Sequence, residues 1–267
     1  MNRSNRLAQS IRERKPAVGA VANLRDPGGA EIVALAGYDW LLLDTEHNPL
    51  TETDVLGILH ALRGFDIQPI VRLRANREEH VKWVLDAGAG GVMIPAIKSA
   101  DEARHAVSIC KYHPLGSRGF SPNRASGYWT HGKEYLASAN QDVLLLCMIE
   151  HVGAVREIDE ICRIEGIDGL WIGPADLAQS LGHLGDTQHA DVRSAVDKTI
   201  DEATKAGMPW GIPTNDVETF AQYVARGGIV MTLGADTRWL RVGATTFMND
   251  ARAAVEKHCA EKGPHCP

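Results

Sequence analysis

Short apolar runs alternate along the chain with longer stretches whose apolar residues recur every three or four positions. The runs are AVGAVAN (17–23), WLLLD (40–44), PIVRL (69–73), GVMIP (91–95), VLLLCMIE (143–150), GLWIG (169–173), PWGIP (209–213) and IVMTL (229–233). They lack in–out alternation, as strands covered on both faces do. The stretches between them carry helix punctuation. Residues 28–37 form a helix closed by Gly37. Thr51 with Asp54 reads as a capping box, with Val55, Leu56, Ile58, Leu59 and Leu62 on the apolar face and Gly64 at the end. Asn76 with Glu79, and Asn215 with Glu218, read as two further caps. Ser99 to about Cys110, 152–163, roughly 189–206 and 235–257 are the other helices, and Pro174 suits a first helical turn. MNRSNRLAQSIRERK reads as a first surface helix, and residues after about 257 as a surface or disordered tail.

Strand–helix alternation implies a parallel sheet. Eight such units favour closure into a (β/α)8 TIM barrel over an open sheet. A length of 267 residues suits one barrel, so the expectation is a single catalytic domain over 1–267 with a flexible tail at 258–267. One stretch breaks the rhythm: HPLGSRGFSPNRASGYWTHG (113–132), a loop long enough to suggest a role, with Gly116-Ser117-Arg118-Gly119 as an anion binder or lid.

Composition narrows the function classes. A net charge of -6 with no basic stripe argues against nucleic acid. No segment approaches the roughly 18–20 apolar residues of a membrane span, and the basic N-terminus lacks a signal-peptide h-region. The five cysteines have no disulfide-framework spacing. Cys110, Cys147 and Cys162 read as core thiols and the compartment as a reducing cytoplasm.

In such barrels, chemistry sits at the C-terminal ends of the strands. The polar residues falling there are Asp44-Thr45-Glu46-His47, Arg72, Glu150 and, after Gly173, Pro174-Ala175-Asp176. Glu150 and Asp176 suit the oxygen-rich shell of Mg²⁺ or Mn²⁺, although Glu150 as a cap and Asp176 as a first-turn acid is the plainer reading. His47 is a candidate proton carrier whose tautomer Asp44 or Glu46 would fix, or else a surface loop histidine. Arg72, in an otherwise apolar strand, needs a partner: a substrate oxygen, or an acid such as Asp44. The N–H groups of Ala175 and Asp176 can hold a carboxylate. No phosphate-binding fingerprint, serine triad or well-placed Schiff-base lysine is present (Lys82 and Lys98 fall on helix or loop), which favours metal-assisted enolate chemistry.

GYDWLLLDTEHNPL (37–50), PIVRLRAN (69–76), LDAGAGGVMIPAIKSADEA (85–103), GSRGFSP with RAS (116–126), MIEHVGAV (148–155) and GLWIGPADLAQSLG (169–182) together carry a family resemblance. From about Val18 to about Phe247 the chain resembles the HpcH/HpaI aldolases, metal-dependent class II pyruvate aldolases. The resemblance implies cleavage of a 4-hydroxy-2-oxo acid to pyruvate, or a close 2-oxo acid, and an aldehyde through a metal-stabilised enolate. It implies Glu150 and Asp176 as ligands of a divalent metal (Mg²⁺, Mn²⁺ or Co²⁺), Arg72 as the enolate-stabilising arginine, and His47 backed by Asp44 as the acid–base pair. It also implies Gly173, Ala175 and Asp176 at the substrate carboxylate, Asp86 reaching a neighbouring subunit's site, and a homo-oligomer (trimer or hexamer) with a swapped C-terminal helix. Another enolate-forming lyase on the same scaffold, acting on a CoA thioester or by decarboxylation, is the alternative. Met148 replaces a glutamine seen in several members; Val21, Asn23 and Arg25 differ from one well-known branch where the aldehyde should sit, and Arg25 is a candidate for an anionic aldehyde tail.

Overall fold

The computed structural model describes residues 5–262, with side chains described to residue 260. Nine parallel strands form one sheet: β1 (Ala17–Ala22), β2 (Trp40–Asp44), β3 (Gln68–Arg72), β4 (Gly91–Ile97), β5 (Leu144–Ile149), β6 (Gly169–Ile172), β7 (Trp210–Gly211), β8 (Pro213–Thr214) and β9 (Val230–Ala235). β7 pairs with β6 and β8 pairs with β9. The expected seventh strand is thus one interrupted strand, and its two halves bring the sheet around into a nearly closed TIM barrel of eight positions.

Twelve α-helices accompany the strands among the described residues: α1 (Arg6–Glu13), α2 (Pro27–Leu35), α3 (Glu52–Ala61), α4 (Glu78–Asp86), α5 (Ala100–Cys110), α6 (Gly132–Asp142), α7 (Val152–Arg156), α8 (Ile158–Ile161), α9 (Pro174–Ser180), α10 (Ala190–Ala206), α11 (Val217–Ala225) and α12 (Asp236–Lys262). The Thr51–Asp54 capping box is present. Two other caps shift by one residue. Arg77 precedes α4 without a side-chain bond while Asn76 Nδ2 donates to the Glu102 carbonyl at 2.9 Å. Asp216, rather than Asn215, caps α11 by accepting from Thr219 N–H. The stretch 152–163 divides into α7 and α8. α6 leaves no clear mark in the sequence pattern, because Gly, Ser and Asn along GKEYLASANQD dilute its helical period. The presumed tail at 258–262 continues α12; residues 263–267, with His265 and Cys266, lie outside the described residues.

Two apolar clusters fill the molecule, one between strands and helices and one inside the barrel. The inner one contains Trp40, Leu42, Ile70, Met93, Leu146, Met148 and Trp171, and also Leu7, Ala8 and Ile11 of α1. α1 is therefore a plug for the bottom of the barrel and not a surface helix. Asn5 pins it there, donating to the Gly90 and Asp142 carbonyls at 2.7 Å each. Trp40 lies across β1, where a Cβ on Gly19 would meet its indole at 2.2–2.5 Å. Gly19→Ala should cost about 1–3 kcal/mol by overpacking, read as a lower melting temperature; an unchanged melt would show that the indole swings freely.

Candidate active site

Because strand side chains alternate, every second residue of a barrel strand points inward. β2 and β3 pair Asp44 with Arg72 directly, as the last residues of their strands, and β5 and β6 pair Met148 with Trp171. The sheet therefore delivers Asp44, Arg72 and Met148 to one level of the interior, with Glu150 one step higher.

Asp44 and Arg72 form a fork-to-fork pair: Nε donates to Oδ1 at 2.8 Å, and Nη2 lies 2.7 Å from Oδ2. Their side chains are 2% and 12% exposed. Asp44 Oδ1 also accepts from the backbone N–H of Glu46 (3.1 Å) and His47 (3.4 Å). Burial alone would raise the Asp44 carboxyl, but Arg72 and these donors hold it below its ordinary value. It is a fixed anion. Arg72 Nη1 remains, 3.5 Å from Glu46 Oε2 and 4.0 Å from the Met148 sulfur.

The His47 ring is not on Asp44, which meets only its backbone; of the two acids weighed for fixing the tautomer, Glu46 is the nearer. Its Oε2 lies 3.6 Å from His47 Nε2, and the His47 side chain is 58% exposed. Glu46 enters the site more deeply than its place in a loop suggests. Its signal was parity: two residues beyond Asp44, it returns to the same side of the chain. Burial first, then the charges of Asp44 and Asp176, lift its pKa to about 7 against the pull of Arg72.

Glu150 is nearly enclosed. Its Oε1 accepts from Ala96 N–H at 2.6 Å. That donor is aimed by a register shift in β4 between Ile94 and Ile97, where Ala96 takes a left-handed φ of 52°. Such strain in a non-glycine residue marks an arrangement its surroundings enforce. Burial first, then Glu46 and Asp176, raise Glu150 to about 7 despite the Ala96 hydrogen bond and Arg72. Glu150 thus feels Glu46, and both feel Asp176, which opens α9. Gly173 lets this happen: a Cβ there would sit 2.7 Å from Glu150 Oε2. Gly173 also caps α9 with no side-chain bond, so it places no side chain over the N–H groups of Ala175 and Asp176.

The donor set fits a hard divalent cation. Glu46 Oε2 and Glu150 Oε2 are buried with no hydrogen-bond partner, and carboxylates whose protonation is raised by burial and neighbouring acids are those a cation relieves. Among the described residues, the three-ligand group whose ligand atoms all lie within 4.8 Å of one another is elsewhere, at His183, His189 and Asp191. His189 Nδ1 there accepts the capping N–H of Asp191, and His183 Nε2 lies 2.9 Å from Asp191 Oδ2, so the group already serves as the cap of α10.

Two expected residues lie elsewhere. Asp86 ends α4, at the opposite end of the barrel from Arg72, and accepts from Arg118 Nη2 at 2.6 Å. Arg118 is buried, holds Asp86 through Nη2 and stacks over Tyr112, while its Nε and Nη1 are enclosed without a hydrogen-bond partner, so GSRG anchors the long loop with a guanidinium shut away from solvent. The thiols of Cys110, Cys147 and Cys162 are buried as expected.

The sequence pattern of the HpcH/HpaI aldolase/citrate lyase family matches residues 20–242. The chain belongs to this family. It is 37% identical over 257 residues to the hydroxypyruvate/pyruvate aldolase of Paraburkholderia phytofirmans, covering 94% of this chain and 98% of that one. It is 36% identical over 254 residues to the 4-hydroxy-2-oxo-heptane-1,7-dioate aldolase of Salmonella typhimurium, covering 95% and 96%. A crystal structure of a family member from Burkholderia cenocepacia superposes with a TM-score of 0.89 at 36% identity, covering 93% of this chain and 100% of that one. As a member of this aldolase family, the protein is a carbon–carbon lyase.

Proposed function

We propose that the chain is a divalent-metal-dependent aldolase that reversibly cleaves a 4-hydroxy-2-oxo acid to pyruvate, or a close 2-oxo acid, and an aldehyde. The observation that carries this reading is the pair of buried carboxylate oxygens on Glu46 and Glu150 that lack a hydrogen-bond partner, on side chains that both feel the charges of Arg72 and Asp176. Glu150 and Asp176 would hold the cation, with Mg²⁺, Mn²⁺ and Co²⁺ as candidates. Once bound, it supplies Lewis acidity toward the keto group of the substrate. Ala175 and Asp176 offer backbone N–H groups to the substrate carboxylate, next to Gly173. Arg72, held by Asp44, presents Nη1 where negative charge gathers as the enolate forms.

In the cleavage direction His47 takes the 4-hydroxyl proton. The C3–C4 bond breaks, its electron pair passes to the 2-oxo acid half as the enolate, and the aldehyde departs. A proton returned to C3 completes pyruvate. The reading extends to assembly. Trp239, Leu240, Val242, Phe247, Met248 and Val255 leave much apolar surface open on α12, which supports a homo-oligomer, trimer or hexamer, with that helix lodged on another copy. Asp86 would then serve a neighbour's site. The whole chain acts as one catalytic domain, in the cytoplasm; no helix among the described residues is long and apolar enough to cross a membrane.

The test loads the protein with Mg²⁺, Mn²⁺ or Co²⁺, offers a panel of 4-hydroxy-2-oxo acids and measures pyruvate. Release that stops on chelation and returns with metal is expected. Turnover indifferent to exhaustive chelation would overturn the metal. Activity confined to acyl-CoA substrates would favour the thioester lyase suggested by the citrate-lyase half of the family description.

A further inference from the structure

Asn23, one of the departures beyond β1, is joined to Asn48 of the GYDWLLLDTEHNPL segment beyond β2. Asn48 Nδ2 donates to Asp44 Oδ2 at 2.5 Å and to Asn23 Oδ1 at 2.9 Å. Asn23 Nδ2 donates to Thr237 Oγ1 at 3.0 Å. The Asn23 backbone N–H meets both carboxylate oxygens of Asp236 at 3.0 and 3.1 Å, and Leu24 N–H meets Oδ2 at 3.0 Å. Asp236 and Thr237 are the first two residues of α12. An unbroken series of hydrogen bonds therefore runs from that helix to Asp44 and on to Arg72.

The direction of the series is fixed by chemistry. Asp44, kept ionised by Arg72, can only accept. Asn48 must turn its amino group to it, and the second hydrogen of that group then points at Asn23. Asn23 must in turn show its oxygen to Asn48 and its amino group to Thr237. Flipping Asn48 would set its oxygen against the Asp44 carboxylate and the Asn23 oxygen. Neither carboxamide has a second arrangement of equal quality, so the pair is orienting as well as connecting.

We propose that Asn23 and Asn48 are positioning residues, a one-way relay through which the first turn of α12 sets the orientation of the Asp44–Arg72 pair. This rests on the aldolase reading for its effect on turnover. Asn48 acts through Asp44, whose Oδ2 it shares with Arg72 Nη2. Without Asn48, that oxygen loses one of its two side-chain donors and the carboxylate gains freedom to rotate. Arg72 rotates with it, and Nη1 no longer points steadily at the reacting oxygen. Binding of the 2-oxo acid changes little; the step that develops charge slows. Because the relay begins on α12, the orientation of Arg72 is tied to how that helix is seated.

Asn48→Ala is expected to lower kcat roughly tenfold, the scale for a lost hydrogen bond to a charged group, with KM for the 2-oxo acid changed much less. Asn48→Ser, which keeps one donor for Asp44, should recover part of the loss. Asn23→Ala together with Asn48→Ala should be no worse than Asn48→Ala alone, since both cut one series. Wild-type kcat in Asn48→Ala, a loss appearing only in KM, or effects that multiply in the double variant would overturn the relay. If Asn48→Ala does not fold, Asn23→Ala and Asn48→Ser carry the same test. A readout independent of turnover separates this inference from the aldolase reading: hydrogen exchange of Arg72 Nε–H followed by NMR, the signal assigned by its loss in Arg72→Lys. Faster exchange in Asn48→Ala or Asn48→Ser supports the relay even if no aldol substrate is found. Exchange as slow as in the wild type overturns it even in an active enzyme.

Discussion

Glu150→Gln is expected to lower metal-dependent turnover by roughly a thousandfold or more, the scale of losing a central electrostatic element of a site. The isosteric amide keeps an oxygen for Ala96 N–H, so the fold has no reason to fail. The same variant separates metal binding from stability through pH. In the folded protein Glu150 titrates near 7, against its ordinary 4.5, mainly because it is buried. Between those two values the folded state holds a proton that the unfolded state has released. Its contribution to stability therefore falls as pH rises through that window and is at its worst above about 7. Glutamine has no proton to lose. Chelated Glu150→Gln should melt above chelated wild type at pH 8, with the gap closing toward pH 5. Adding Mn²⁺ should reverse the order at pH 8, because only the carboxylate gains from the cation. Parallel melts with and without chelator measure both. If metal raised the melting temperature of wild type and Glu150→Gln equally, Glu150 would not be a ligand.

What could be read ahead of the fold followed from periodicity. Apolar runs such as WLLLD and VLLLCMIE are strands because both faces are covered, and their ends placed Asp44, Arg72 and Glu150 on one rim. The same logic failed where a local pattern served a distant contact. The basic N-terminus looked like surface because its charges outnumber its apolar residues, yet Leu7, Ala8 and Ile11 alone suffice to plug the barrel. PWGIP looked continuous, since nothing in it announces that β7 and β8 face different neighbours. Within the site, residue types gave the acids but not their division of labour. Only the geometry puts Asp44 on Arg72 and leaves Glu46 beside the His47 ring. Ala96 was invisible for a simpler reason: its contribution is a backbone N–H, and a bulge leaves little mark in sequence.

Arg72→Lys carries the second large effect and isolates chemistry from binding. Arginine engages Asp44 through two nitrogens and still has Nη1 for the substrate side. A lysine ammonium keeps the charge but is a single point, unable to hold the fork and reach outward in one fixed geometry. Turnover should fall by roughly 10²–10³, the range seen when one donor to a developing oxyanion is removed. Metal affinity should change little, because Arg72 is not a ligand in this scheme. Arg72→Ala is the poorer probe. It would leave Asp44, 2% exposed, as an uncompensated buried charge, at a cost of about 3–5 kcal/mol that mixes unfolding with catalysis. Exchange of the pyruvate methyl protons with deuterium, followed by NMR with metal present, reads the enolate step without any aldehyde. In Arg72→Lys that exchange should slow in proportion to aldol turnover, while the metal titration overlays that of the wild type. Wild-type exchange in a folded Arg72→Lys would remove the arginine from enolate stabilisation and leave it only the task of holding Asp44.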